Sequence, residues 1–256
     1  MPLRTDQTGG VKRASMTVVR RGVLALSGVA LLAGCALPLP GEDATTSGTV
    51  DLSAELGVEG DPGQLGTEGS VAVDASAVDS VVMIGDSITK GSTPALEERF
   101  ELLGLDTSIE AQNGKRMAVS SGANPSGSSV AEFIANSSDD HSNELWVVAL
   151  GTNDIGQYSS SDEIAAAVNE VLDAVPDESP VVWVDTFYRD QAEQQDIVNR
   201  IIRDRVARHG NSVVAPWTEF ATTEGVLSND GVHPRTEGTE VFAFVVTDTV
   251  RAFLSR

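Results

Sequence analysis

The sequence predicts an α/β domain with a parallel sheet covered by helices on both faces. Three observations carry this. Short, nearly continuous apolar runs recur at Val81–Ile84, Leu145–Leu150, Val181–Val184 and Ser212–Ala215, with a weaker run at Thr107–Ala111. Amphipathic helical patterns separate them. Strands without polar alternation are strands buried on both sides, which is the condition of a parallel sheet between helical layers.

The connecting helices follow from local signals. Thr93-Pro94 suits a cap and first turn, followed by Leu96, Phe100 and Leu103 on one face. Ser160 and Glu163 form a capping-box pattern ahead of Ile164, Val168, Val171 and Val175. Asp190 opens a third helix carrying Ile197, Ile201 and Val206, which His209-Gly210 stops. A last helix spans residues 236–253, with Val241, Phe242, Val245 and Val246 on its apolar face.

This domain occupies residues 78–256, a size suited to one core. Ahead of it, Lys12, Arg13, Arg20 and Arg21 precede "GVLALSGVALLAGC", from Gly22 to Cys35, which is too short to span a bilayer and reads as a secretory signal. Leu32-Ala33-Gly34-Cys35 resembles a bacterial lipobox. The resemblance implies that residues 1–35 are a lipoprotein signal peptide and that the Cys35 thiol is lipidated after cleavage, which places the protein on the outer face of the cytoplasmic membrane. Residues 36–77 are rich in Gly, Ser, Thr, Pro and acids without sustained periodicity, the composition of a disordered tether. Flexible-chain scaling gives such a tether a reach of roughly 35 Å.

The formal charge of the whole chain is −21, and beyond residue 35 there remain 12 basic against 37 acidic side chains. A chain so acidic repels phosphate backbones and anionic headgroups, which argues against nucleic acid and direct headgroup binding. Membrane attachment would come from the lipid. Cys35 is the only cysteine, so no internal disulfide is available, and no His/Cys/carboxylate spacing suggests a metal site or other cofactor.

In a sheet of this kind the active crevice lies outside the carboxyl ends of the strands. There the sequence places Gly85-Asp86-Ser87, Asn113-Gly114 and Gly151-Thr152-Asn153-Asp154, and a late loop supplies Asp230-Gly231-Val232-His233-Pro234. These residue types suit acyl transfer. Ser87 is a weak nucleophile without a base, and His233 titrates in the right range to be one. Asp230, three residues earlier, can fix the imidazole tautomer. The N–H groups of Ser87 and Gly114 and the Asn153 amide can stabilise an oxyanion. Asp86 and Asp154 are read as turn-ordering residues, His141 as a solvated surface residue and His209 as a helix-end cation.

"GDSI", the Gly of "AQNGKRM", "GTND" and "DGVHP" resemble the four signature blocks of the SGNH, or GDSL-type, hydrolases, and the similarity runs through the domain after the tether. The resemblance implies a flavodoxin-like three-layer α/β/α sandwich with a five-stranded sheet and metal-free ester hydrolysis. It also implies the roles just given to Ser87, Gly114, Asn153, Asp230 and His233. "TPALEERF", "IEAQNGKR" and "VVALGTND" further resemble SGNH domains appended to membrane O-acyltransferases of envelope polysaccharides. The expected function is therefore a monomeric serine esterase acting on O-acetyl or other short acyl esters of envelope glycans or glycolipids. Two alternatives stand beside it: an O-acyltransferase using the same residues, with an envelope acyltransferase as partner, and an inactive glycan-binding lipoprotein.

Overall fold

A computed structural model describes residues 77–256 apart from 139 and 178. The expected signal peptide, Cys35 and the tether up to residue 76 lie outside the described residues. Five strands, β1 (Ser80–Gly85), β2 (Asp106–Ala111), β3 (Glu144–Ala149), β4 (Val181–Val184) and β5 (Ser212–Ala215), form one sheet in the order β2-β1-β3-β4-β5. Every pairing is parallel. Among the described residues six α-helices connect or flank them: α1 (Ser87–Leu102), α2 (Gly127–Ala135), α3 (Ser161–Leu172), α4 (Ala192–His209), α5 (Trp217–Ala221) and α6 (Thr236–Leu254). Among the described residues no helix is long and apolar enough to cross a membrane.

Strand alternation divides the core into two layers. Val81 and Met83 of β1 and Leu145 and Val147 of β3 pack with Leu96, Phe100, Trp217, Phe242 and Val246, so α1, α5 and α6 cover one face. Val82, Ile84, Trp146 and Val148 pack with Ala131, Val168, Val198 and Ile202, so α2, α3 and α4 cover the other. Residues on both sides of β1 and β3 are buried, which explains their unbroken apolar sequence. β2 sits at the edge and alternates exposed with half-buried residues, which is why its run is the weakest of the five.

Three helices differ from the sequence expectation, and of these the five-residue α5 carries none. α1 begins six residues before Thr93, because the Asp86 carboxylate accepts the Ile88 N–H (2.9 Å) and caps the helix there. Pro94 then lies inside α1, on its exposed face, where water can satisfy the carbonyl that lacks a donor. α2 carries no sequence expectation, because its short apolar face falls in a Ser/Gly-rich stretch; the Ser126 hydroxyl caps it by accepting the Ser129 N–H. The Ser160 cap of α3 is as expected, with its hydroxyl accepting the Glu163 N–H at 3.2 Å.

Because the chain leaves β1 toward β2 on one side and β3 lies on the other, the crevice between the carboxyl ends of β1 and β3 is the switch point of the sheet. Ser87 is the first helical residue after β1.

Candidate active site

The first half of the site follows from how β1 becomes α1. Gly85 is the last residue of β1, and a Cβ there would overlap the Thr89 side chain. Only glycine lets the first turn of α1 fold back so closely on the strand, and that turn raises Ser87 to the lip of the crevice. Asp86 is 1% exposed. Burial pushes its carboxyl up to about 7, against the opposing pull of the Ile88 N–H and the nearby His233.

The second half comes from the loop between α5 and α6. Its turn is fixed by Asp230, whose Oδ1 accepts from the Val232 N–H (2.9 Å), the His233 N–H (3.0 Å) and the Ser228 hydroxyl (2.7 Å). The other oxygen, Oδ2, lies 2.8 Å from His233 Nδ1. Partial burial pushes the Asp230 carboxyl up, but these hydrogen bonds outweigh it and hold the group well below the usual carboxylate range. It is therefore an ionised acceptor for the imidazole. On the far side of the ring, His233 Nε2 lies 2.8 Å from Ser87 Oγ. With the ring proton on Nδ1, directed at Asp230, the Nε2 lone pair faces the serine hydroxyl. The structure thus joins Ser87, His233 and Asp230, which span 146 residues of chain, in one continuous hydrogen-bonded relay.

The loops after β2 and β3 complete the lip. Gln112 N–H donates to the Gly85 carbonyl (3.1 Å) and so ties the Gly114 turn to the end of β1. Gly114 has φ +72° with open space around it, so its glycine serves the backbone conformation rather than a close contact. Neither the Ser87 nor the Gly114 N–H takes part in the turn, loop and cap hydrogen bonds of the described residues. Asn153, the third residue expected to donate to an oxyanion, has its amide engaged within the protein. Its Nδ2 donates to Asp86 Oδ2 and to the Lys115 carbonyl, each at 3.1 Å. The amide thereby clamps together the ends of β1, β2 and β3, and reaches an oxyanion only by exchanging one of these partners.

Asp154, fully buried, orders the neighbouring loop by accepting from the Met117 N–H (3.0 Å), Arg116 Nε (3.2 Å) and the Tyr158 hydroxyl (2.9 Å). Burial raises its carboxyl against these partners. Two histidines depart from expectation. His141 is not a solvated residue: Nδ1 pairs with Glu144 Oε2 (2.7 Å) and Nε2 lies 2.8 Å from the Ala135 carbonyl. His209 does end α4, and burial pushes its imidazole below the usual value against the pull of Asp173 and Asp177, which disfavours the charged form there. Among the described residues no cluster of three or more His, Cys, Asp or Glu could hold a metal ion.

A parallel five-stranded sheet between two helical layers, with a Ser-His-Asp relay at its switch point, defines the α/β/α hydrolases of the SGNH type. The chain belongs to the GDSL-like lipase/acylhydrolase family, which it matches over residues 83–241, and it is a serine esterase of that class. No curated protein matches it significantly. Solved structures share its fold at low identity. A carbohydrate acetylesterase from Sinorhizobium meliloti, Est24, is 17% identical, with 68% of this chain and 98% of that one covered and a TM-score of 0.53. A member of the lipolytic G-D-S-L family from Veillonella parvula is 17% identical, covering 66% and 96%, with a TM-score of 0.54. The psychrotrophic esterase EstA from Pseudoalteromonas sp. is 9% identical, covering 70% and 100%, with a TM-score of 0.52.

Proposed function

We propose that this domain removes short acyl groups, O-acetyl above all, from glycans or glycolipids of the bacterial cell envelope, through an acyl-enzyme on Ser87. The observation that carries the reading is the relay: Ser87 Oγ and Asp230 Oδ2 each lie 2.8 Å from a nitrogen of the same imidazole. Ser87 Oγ attacks the ester carbonyl and its proton passes to His233 Nε2, while the Ser87 and Gly114 N–H groups receive the oxyanion. The ester C–O bond then breaks, and His233 gives that proton to the leaving alkoxide. Water attacks the acyl-enzyme with His233 again as base, His233 returns that proton to Ser87, and the acyl group leaves as a carboxylic acid that ionises in solution. Asp230 stays ionised throughout and supports the imidazolium.

The glycan substrate is favoured by the resemblance of "TPALEERF", "IEAQNGKR" and "VVALGTND" to the domains of envelope O-acyltransferases. Hydrolysis is preferred to transfer because the family is one of acylhydrolases. Cleavage before Cys35 and lipidation of its thiol would hold the domain at the outer face of the cytoplasmic membrane, with residues 36–77 as a tether. The test is hydrolysis of p-nitrophenyl acetate together with fluorophosphonate labelling. Wild-type protein should turn over the ester and take up one label on Ser87, and Ser87→Ala should lose both, with a rate loss of about 10³-fold or more. Equal rates in the two proteins would overturn the assignment.

A further inference from the structure

The loop that carries His233 has a second use. A cavity of about 450 Å³ opens beside it, lined by Ser228, Asn229 and Arg235 of that loop and by Arg189. Ser228 belongs to both places: its hydroxyl donates to Asp230 Oδ1 (2.7 Å) and its N–H to the His233 carbonyl (2.8 Å). The cavity and the relay therefore share one turn.

Two guanidinium groups in one cavity are unusual in this domain, which between residues 78 and 256 has 12 basic against 29 acidic side chains. Most of its arginines have a carboxylate partner: Arg99 with Glu240, Arg116 with Asp154, Arg203 with Asp185, Arg205 and Arg208 with Asp204, and Arg251 with Asp248. Among the described residues Arg189 and Arg235, like Arg200 and Arg256, have none within 4 Å, and Glu224 lies on the same wall.

Both arginines are also held in place. The Arg189 N–H donates to the Gly231 carbonyl (3.0 Å), and its side chain lies so close to Gly231 that a Cβ there would be 2.6 Å from Arg189 Cβ and 3.4 Å from Cζ. Arg235 Nη2 donates to Asn229 Oδ1 (3.2 Å). These contacts confine the two stems to the turn that supports the imidazole. The remaining N–H donors of each fork suit a carboxylate or phosphate.

The chemistry sets which part of the substrate reaches them. His233 must give its proton to the leaving alkoxide, so the alcohol portion of the ester, the glycan, lies on the side of the His233 loop. Resting on the esterase reading above, we propose that the Arg189–Arg235 cavity is an anion subsite, and that the preferred substrate is an O-acylated glycan with a carboxylate or phosphate near the ester. In a domain that otherwise repels anions, a local cationic cavity is what lets such a chain dock.

The test compares acetate release by the purified full chain from O-acetylated polygalacturonate, O-acetylated poly(glycerol phosphate) and O-acetylated neutral xylan. Wild-type kcat/KM should favour at least one anionic polymer over xylan by roughly tenfold at low salt, and the preference should shrink as salt rises. The better anionic polymer tells carboxylate from phosphate. In R189Q/R235Q the anionic-to-neutral ratio should fall toward one through KM, whereas R189K/R235K should keep most of it. A wild-type ratio near one, or a ratio unmoved in R189Q/R235Q, overturns the subsite while leaving the esterase standing. No acetate from any of the three while p-nitrophenyl acetate is hydrolysed overturns the subsite, and none from p-nitrophenyl acetate either overturns both.

Discussion

Asp230→Asn isolates the carboxylate of the relay at nearly constant shape. In the native turn Asp230 Oδ2 faces His233 Nδ1 at 2.8 Å, and Oδ1 already accepts three hydrogen bonds. Asparagine keeps one oxygen, and the two backbone N–H groups with the Ser228 hydroxyl claim it. Its amide nitrogen then faces Nδ1 as a donor. The imidazole must answer with its Nδ1 lone pair, which moves the ring proton to Nε2, where it faces Ser87 and cannot accept the serine proton. The electrostatic part can be sized separately. Charges about 4 Å apart attract by about 1 kcal/mol in water and about 4 kcal/mol at an effective dielectric of 20. The His233 and Asp230 side chains are 47% and 51% exposed, so a middle value of about 2 kcal/mol applies. Holding the less favourable tautomer adds about 1–3 kcal/mol. Together these predict a loss in kcat of about 10²–10⁴-fold with KM little changed. Steady-state kinetics with p-nitrophenyl acetate gives the split, and the fluorophosphonate labelling rate should fall in parallel. A variant within threefold of wild type in kcat, or one that changes KM alone, would refute the tautomer argument.

Asp86 makes a prediction about stability and pH. Its folded carboxyl is raised to about 7 from 3.8, so its contribution is complete below about pH 4 and is lost as pH rises through 7, at about 1.4 kcal/mol per pH unit between those limits. Asp86→Asn does not titrate, so its melting temperature should gain on wild type from pH 4.5 to 7.5; a constant difference across that range would count against the buried-acid assignment. Gly85→Ala forces a methyl into the Thr89 side chain, for an overpacking cost of about 1–3 kcal/mol. The melting temperature should fall by about 3–10 °C, and a fall under 1 °C would show that α1 can shift without cost.

The parts of the fold that could be read in the sequence are those whose burial is uniform. β1, β3 and β4 are buried on both faces, so their apolar runs match their structural limits to within a residue. β2 lies at the edge, and half of each pleat faces solvent, which dilutes the same signal. α1 shows how a local cue misleads: Thr93-Pro94 has the form of a first turn, yet Asp86 caps the helix earlier because the fold needs Ser87 at its first position. α2 and the five-residue α5 are too short for a periodic face to stand out from the surrounding polar residues.

The site divides along the same line between local and long-range chemistry. Asp230 and His233 are three residues apart, and a turn closed by Asp230 Oδ1 is enough to aim one at the other, so spacing alone pointed to the pair. Ser87 was legible because a strand-end serine needs a base, and few candidates exist. Asn153 was not legible in the same way, since what its amide does depends on Asp86 and the Lys115 carbonyl, groups 67 and 38 residues away that only the folded sheet brings within 3.1 Å. That clamp has a chemical consequence. When Asp86 is ionised its Oδ2 holds the Asn153 amide firmly, and when Asp86 is protonated that hold weakens, so the freedom of the amide to turn toward an oxyanion is greatest below about pH 7. Ester hydrolysis in Asp86→Asn should therefore lose the part of its pH dependence that arises from this clamp. A pH profile for kcat identical in wild type and Asp86→Asn would show that Asn153 stays a structural tie throughout the reaction.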